Sequence, residues 1–250
     1  MQQRTIRAVL AAVVLTAGLV AVPIGSDSVA HAEVPIGNIG KFKQTFRESF
    51  STKASAGGQF AKTYAKSWQP YPDGMGDGKY WSGTQISAHG GIMDVTLDGK
   101  HGAAGTFGTP SGAWSHVGGK FTVRAKASGA TGNGAAFMLW PTSNVWSEGE
   151  IDYPEGNFEA APVSYQHSMT AGAEFNATSA SAKVSWRDWH TYSIEWIPNK
   201  SVTYFVDNRV VQTVTKDVPK TAHRYMFQTG NWGATGHLNI DWVTTYDYKP

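Results

Sequence analysis

Apolar and polar residues alternate with a period of two through most of the chain. The segments TYSIEW (191–196), LNIDWV (238–243) and FTVRAK (121–126) all show this alternation. It is typical of strands that bury one face, and no window carries the period of about 3.6 residues expected of a long amphipathic helix. We therefore predict an all-β sandwich of about a dozen antiparallel strands.

Turn residues separate the predicted strands. Asp98-Gly99 and Asp207-Asn208 stand at hairpin spacing and tolerate positive φ. Loops rich in glycine and aromatic residues lie at 67–81, 129–134 and 228–236, and we expect them to form the rims of a groove. The alternation further predicts three tryptophans as core residues: Trp189, Trp196 and Trp242.

The chain begins with a basic segment, continues with an apolar run from Ala8 to Val22, and reaches Ala30-His31-Ala32. This three-part pattern predicts a secretory signal peptide over residues 1–32 and a secreted protein. A membrane anchor is disfavoured because it needs roughly 20 apolar residues. Residues 33–44 are interpreted as a linker and residues 45–250 as one catalytic domain, a size that is ordinary for a sandwich.

Composition excludes several classes of function. The formal net charge is +2, which predicts no nucleic-acid partner and no membrane partner after signal cleavage. The chain has no cysteine, so disulfides, thiolate metal sites and a cysteine nucleophile are excluded. Its ten tryptophans suit either a packed core or stacking on sugar rings.

The segment EGEIDYPEG (148–156) concentrates four carboxylates around a proline. On a regular strand Glu150 and Asp152 share one face, whereas Glu155 falls on the opposite one. A β-bulge inserts one extra residue and would bring all three to the same face. Pro154 is well placed to mark such a bulge, since proline is tolerated in strands at bulges and edges.

Paired carboxylates at this spacing suit glycoside hydrolysis. The bulged strand would hold the two glutamate Cα atoms about 13 Å apart, and side chains leaning together would bring the carboxyl groups to roughly 5–6 Å. That separation is typical of a retaining enzyme, in which one glutamate attacks the anomeric carbon and the other protonates the leaving oxygen. A solvated acidic strand edge and a calcium site remain open as alternatives on the spacing alone.

The same residues resemble glycoside hydrolase family 16. GEIDYPEG is similar to the family signature E-x-D-x-E or E-x-D-x-x-E, and it stands between FMLWP and WHTYSIEWIPNKSVTYFVDNRVV as in that family. The resemblance implies a concanavalin-like β-jelly roll of two curved antiparallel sheets with a concave substrate groove. It also implies retaining endo-hydrolysis of a β-linked polysaccharide. Glu150 is then the nucleophile, Asp152 the assisting acid and Glu155 the acid/base.

The resemblance extends to further positions. Trp140 and Trp146 flank the loop before the motif and are candidates for sugar stacking, with core packing as the alternative. His167 in SYQHSM lies where the family often has an active-site histidine, although a lone histidine is more often structural. Trp232 in GNWG is a candidate for stacking in a glycine-rich loop. Asp241 is at the position that helps bind a structural calcium in many relatives.

We therefore expect a secreted, monomeric endo-glycosidase that hydrolyses β-1,3 or mixed β-1,3/1,4-glucan and needs no cofactor for catalysis. The bulged signature favours the laminarinase-like branch of the family. An agarase- or carrageenase-type galactan hydrolase, a transglycosylase and a non-catalytic glucan-binding lectin are the alternatives. Two departures from the family pattern, Ser147 after Trp146 and Thr122 in place of a glutamate, leave the details of the sugar subsites open.

Overall fold

A computed structural model of the chain describes residues 31–110, 112–231 and 233–250. Nearly all of the predicted signal peptide lies outside these residues, and so does Trp232. Within the described ranges, no helix is both long enough and apolar enough to span a membrane.

Fifteen strands contain about half of the described residues. The strands are, in chain order, β1 (Phe42–Glu48), β2 (Trp68–Pro70), β3 (Ile86–His89), β4 (Ile92–Asp98), β5 (Ala104–Phe107), β6 (Gly119–Ser128), β7 (Asn133–Pro141), β8 (Ile151–Asn157), β9 (Val163–His167), β10 (Ala177–Ser181), β11 (His190–Ile197), β12 (Ser201–Val206), β13 (Arg209–Val214), β14 (His223–Asn231) and β15 (Thr235–Tyr248). The helices are single turns: α1 (Gln59–Thr63), α2 (Met75–Gly78), α3 (Ser82–Gln85) and a 3-10 turn (Trp146–Glu148).

The strands form two antiparallel sheets. One sheet has eight strands in the order β13-β12-β11-β6-β15-β4-β3, with β1 paired to the second half of β15. The other has seven strands in the order β10-β9-β8-β7-β14-β5-β2. This arrangement confirms the predicted all-β sandwich.

The core lies between the two sheets and is rich in aromatic side chains. Phe107 and Phe137 of the seven-stranded sheet stack with ring centroids 6.4 Å apart. Phe121 of the eight-stranded sheet meets Tyr225 of the other at 5.4 Å. Each buried phenylalanine contributes about 1.5–3 kcal/mol through removal of apolar surface from water, which suits a chain without disulfides.

One predicted hairpin turn is confirmed and the other is wrong. Asp207 and Asn208 both have positive φ and connect β12 to β13, with Val206 paired to Arg209. Asp98-Gly99 also forms a turn, but it leads from β4 in one sheet to β5 in the other. The Asp98 carboxylate accepts hydrogen bonds from the backbone N–H groups of Lys100 and His101, which turns the chain away from a hairpin.

The prediction for the three strand tryptophans is confirmed only for Trp196, which is fully buried in the core. Trp189 lies half-buried on the outer face of the eight-stranded sheet, under Arg124 and Lys126 at 4.8 and 5.1 Å. Trp242 is buried but outside the core cluster. A register shift between Ile240 and Trp242 reverses the alternation there, and sequence periodicity does not show such a shift.

The first strand begins at Phe42, inside the range 33–44 that was interpreted as a linker. The alternation simply starts earlier, because Phe42, Gln44 and Phe46 are half-buried while the residues between them are exposed. The side-chain oxygen of Gln44 also accepts a hydrogen bond from the Gly37 N–H at 2.9 Å. Part of the predicted linker is therefore attached to the domain.

Candidate active site

The carboxylate segment is positioned by the turn between β7 and β8. Gly149, the last residue before Glu150, has a φ of 113°. A Cβ at this position would lie 2.5 Å from Cγ of Pro219, so only glycine fits. The carbonyl oxygen of Gly149 lies 2.8 Å from Nε2 of the buried His223. Pro219 and His223 therefore fix the backbone of Gly149, and this determines where Glu150 enters the sheet.

The predicted bulge is confirmed at Tyr153-Pro154. Asp152 pairs with Met138 of β7 and Glu155 pairs with Ala136, so two residues of β8 oppose the single residue Phe137. The same shift appears against β9 on the other side of β8. Glu155 is thus turned to the face that carries Glu150 and Asp152.

Tyr153 points in the opposite direction, into the core. It is buried and makes edge contacts with Tyr192 and Tyr204 at ring-centroid distances of 5.5 and 5.6 Å. Tyr153, the aromatic residue of the bulge, is therefore packed between the two sheets. Pro154, which follows it through a cis peptide bond, occupies the extra position.

The three acids lie on the side of the seven-stranded sheet that is turned away from the other sheet, and we call this side the groove face. Each acid belongs to a row of residues that are paired across neighbouring strands. Strand pairing aligns Asp152 with Met138 and Met226, and Glu155 with Ala136 and Gln228. Arg224 pairs with Trp140, and the adjacent pair of Leu139 with Ile151 places Trp140 opposite Glu150.

Two cavities lie on the groove face and are lined by residues of these rows. A cavity of about 440 Å³ is lined by Glu150, Trp140 and Trp146, and a second of about 290 Å³ is lined by Glu155 and Tyr80. Gln228 lines both. The two glutamates therefore face one groove from neighbouring compartments.

Burial shifts the acids towards their neutral forms. Desolvation is the main cause of the raised pKa of Glu150, and the positive charge of His167 opposes it. Burial likewise raises the pKa of Glu155, and the negative charge of Glu150 raises it further. Asp152 is almost completely buried, and its pKa lies well above the usual range for the same reason. Three acids this close do not ionise together.

His167 places a positive charge directly beside the carboxylates. Its Nε2 lies 3.0 Å from Oδ2 of Asp152, and its Nδ1 lies 2.8 Å from the carbonyl oxygen of Glu174. Burial favours the neutral imidazole, but the hydrogen bond and charge of Asp152 outweigh it and raise the pKa of His167 to about 9. His167, a candidate site residue from the family resemblance, therefore lies beside the carboxylates.

Two of the three predicted stacking tryptophans lie together beside Glu150. The rings of Trp140 and Trp146 are 6.4 Å apart, and both are half-buried, so each keeps an open surface. Trp140 Nε1 donates to Oδ1 of Asn144 at 3.1 Å. Trp146 also meets the exposed Phe175 edge-on at 4.7 Å. The prediction for Trp232 falls outside the described residues.

The sequence did not single out four residues that line the groove: Tyr71, Tyr80, Arg224 and Gln228. It also did not single out Phe175, whose ring contacts Trp146. The tyrosines lie in the loop that was expected to form a rim. Arg224 and Gln228 alternate with the core residues of β14, so the strand pattern HRYMFQTG carried a usable signal for them.

Glu150, Asp152 and His167 offer ligand atoms within 4.8 Å of one another, a spacing that a cation also needs. Calcium would take six to eight oxygen ligands, and these residues supply far fewer. The hydrogen bond between Asp152 and His167 already accounts for their proximity.

Asp241, the candidate calcium ligand, does not fit that ion in its present surroundings. Arg124 Nη1 donates to its Oδ2 at 2.5 Å, and both side chains are largely buried. His31 Nδ1 contacts its Oδ1 at 2.7 Å. Signal cleavage after Ala32 would remove the histidine but not the arginine. A guanidinium cation at this carboxylate disfavours a second cation, so the calcium stays a prediction that the donor set does not support.

A family model described as Glycosyl hydrolases family 16 matches residues 78–248, more than half of the chain. The chain belongs to glycosyl hydrolase family 16. The expectation drawn from GEIDYPEG and its neighbours is therefore confirmed at the level of the family.

Individual relatives within family 16 are distant. A beta-glucanase from Acetivibrio thermocellus is 27% identical over 181 residues, which cover 67% of this chain and 49% of the relative. A solved non-specific endo-beta-1,3(4)-glucanase superposes with a TM-score of 0.67 at 15% identity, covering 86% of this chain and 95% of that one. The laminarinase from Rhodothermus marinus gives 0.64 at 18% identity, with 84% and 98% covered. The chain spans about half the length of the curated relative, and the solved structures establish the shared fold.

Proposed function

We propose that this family 16 protein is a retaining endo-β-glucanase that cleaves β-1,3 or mixed β-1,3/1,4-glucan. The observation that carries the proposal is the bulge at Tyr153-Pro154, which places Glu150, Asp152 and Glu155 on the groove face. The names of the relatives support the substrate class, since they include a beta-glucanase and laminarinases.

In the first step, the ionised carboxylate of Glu150 attacks the anomeric carbon while Glu155 donates its proton to the glycosidic oxygen. The glycosidic C–O bond breaks, and a covalent glycosyl ester forms on Glu150. In the second step, Glu155 takes a proton from water, the water oxygen attacks the same carbon, and the ester bond to Glu150 breaks. Both glutamates return to their starting states.

The electrostatics of the site favour this division of roles. The charge of His167 favours ionisation of Glu150. The resulting negative charge raises the pKa of Glu155, which keeps Glu155 protonated as the first step requires. Asp152 holds His167 in place through the 3.0 Å contact and acts as a positioning residue. Trp140 and Trp146 supply faces on which pyranose rings stack.

The proposal includes secretion with cleavage after Ala32, supported by the basic, apolar and Ala30-His31-Ala32 segments of the sequence. N-terminal sequencing of protein recovered from the medium tests it. We expect a chain that begins at Glu33, and a chain retained in the cell with Met1 intact would contradict secretion.

A reducing-sugar assay on a polysaccharide panel tests the activity. The panel contains laminarin, mixed-linkage glucan, agarose, carrageenan and xyloglucan, and the variants are Glu150→Gln and Glu155→Gln. Glu159→Gln is the matched control, because Glu159 is exposed, accepts a hydrogen bond from Thr131 and lines neither of the two cavities.

We expect hydrolysis of laminarin or mixed-linkage glucan by the parent and the control, and a loss of at least about 1,000-fold in the two active-site variants. Cleavage of agarose or carrageenan alone would replace the glucan assignment with a galactan one. If the parent bound a polysaccharide but hydrolysed none, the protein would be a lectin.

A further inference from the structure

Arg224 places a positive charge in the groove compartment that contains Glu150. It projects from β14 in the row formed with Trp140, and it lines the 440 Å³ cavity together with Glu150. Neighbouring strands are about 4.8 Å apart, so the backbones of Arg224 and Glu150 are about 10 Å apart across β7. Arg224 therefore reaches the part of a bound polysaccharide that lies next to the reacting sugar.

The protein contacts of Arg224 are neutral and incomplete. Its Nη2 donates to the side-chain oxygen of Asn144 at 2.9 Å, and its Nη1 donates to the carbonyl oxygen of Pro141 at 3.3 Å. The ring of Trp114 lies 5.9 Å away. Among the residues that the structure describes, no carboxylate is within ion-pair distance of this guanidinium. A guanidinium has five donors, so at least part of the fork remains for a ligand.

Two other cations of the sandwich that are largely buried each have a carboxylate partner, whereas Arg187 and Arg209, which contact only carbonyl oxygens, are exposed. Arg124 is paired with Asp241, and Lys120 is paired with Glu195 at 2.7 Å. A half-buried arginine without a carboxylate retains a permanent charge that a neutral sugar does not compensate. A carboxylate or sulfate group matches its planar fork and accepts two parallel hydrogen bonds.

Building on the function proposed above, we propose that Arg224 binds an anionic substituent, a carboxylate or a sulfate, on the β-glucan beside the reacting sugar. The ionised carboxylate of Glu150 repels a negatively charged polymer, and a cation in the same compartment offsets that repulsion where the substituent lies. The preferred natural substrate is thus an acidic β-glucan, with neutral laminarin accepted less well.

A purely structural role is the competing explanation, because Arg224 also connects β14 to the loop of Asn144. That role predicts equal effects on all substrates when the arginine is replaced. The two explanations therefore differ in how the effect depends on substrate charge and salt.

The test compares laminarin with carboxymethylated laminarin and sulfated laminarin of the same chain length. The proteins are the parent, Arg224→Lys, Arg224→Gln and the control Arg47→Gln, which removes the same charge from an exposed position on β1. We expect Arg224→Gln to raise KM for at least one of the anionic polymers about tenfold more than it raises KM for laminarin. Arg224→Lys should recover part of the loss, and the effect should shrink at about 1 M salt.

Equal losses on neutral and anionic polymers, or the same charge-dependent loss in Arg47→Gln, would overturn the inference while leaving the glucanase proposal intact. A difference between the carboxymethylated and sulfated polymers identifies which anion is bound. If the parent hydrolysed none of the three and no mixed-linkage glucan either, the proposed function would fail. In that case, affinity electrophoresis in gels that contain each polymer tests the inference about Arg224 separately. The inference is supported if an anionic polymer slows the parent but not Arg224→Gln. It is overturned if the two proteins migrate alike.

Discussion

Deletion of Pro154 tests how the bulge positions Glu155. In the parent, Asp152 and Glu155 face Met138 and Ala136, which are two residues apart on β7. Two steps of a regular strand span about 6.8 Å, the same distance that the bulged segment spans with three steps. Without Pro154 the strand is regular, and Glu155 still faces Ala136 on the groove side.

The expected loss follows from this geometry. We estimate that the Glu155 carboxyl group moves by about 1 Å or less, and a displacement of that size lowers kcat/KM by up to about 100-fold. The alkaline limb of the pH profile should remain, because the proton donor is still present. Glu155→Gln removes the donor itself, so it should abolish that limb.

The assay is kcat/KM on laminarin across pH, with circular dichroism to confirm folding. Pro154→Ala is the matched control, since it keeps two residues opposite Phe137 and should retain the parent profile. A folded deletion variant that lacks the alkaline limb, as Glu155→Gln does, would refute the inference that Glu155 stays on the groove face without Pro154.

Three further predictions concern the charges of the structure. His167→Gln removes the charge that favours ionised Glu150, so the pKa of Glu150 should rise and the acidic limb of kcat/KM should move to higher pH; a shift to lower pH contradicts this. Glu150→Gln should lower the pKa of Glu155, measured by carbon-13 NMR titration, and an unchanged pKa would disprove their coupling. Chelation of calcium should leave Tm unchanged, and a drop in Tm would restore the calcium. In the chain cleaved after Ala32, which lacks His31, Arg124→Met should cost about 3 kcal/mol because it leaves the buried Asp241 unpaired.

The sequence was sufficient for the fold class because period-two alternation reports which face of a strand is buried. It failed where the period is interrupted. The register shift before Trp242 turned that residue to the outer face, and Trp189 lies just before β11, where alternation no longer applies. The turn at Asp98 was recognised, but its partner strand was not, because pairing between sheets depends on contacts far apart in the chain.

The candidate site was also predictable from the sequence only in part. The bulge was predictable because regular alternation places Glu150 and Glu155 on opposite faces of the strand, and a proline stands between them. Alternation along β14 indicates that Arg224 and Gln228 face away from the core, but strand order, which places β14 beside β7, is not encoded in local periodicity. The pairing of Arg124 with Asp241 was hidden for the same reason, since it joins residues 117 positions apart.

The central claim is that Glu150 and Glu155 carry out a double displacement, and the anomeric configuration of the first product tests it most directly. Proton NMR of laminarin or mixed-linkage glucan during the first minutes of hydrolysis reports that configuration before mutarotation. We expect initial release of the β-anomer. Initial release of the α-anomer would contradict it.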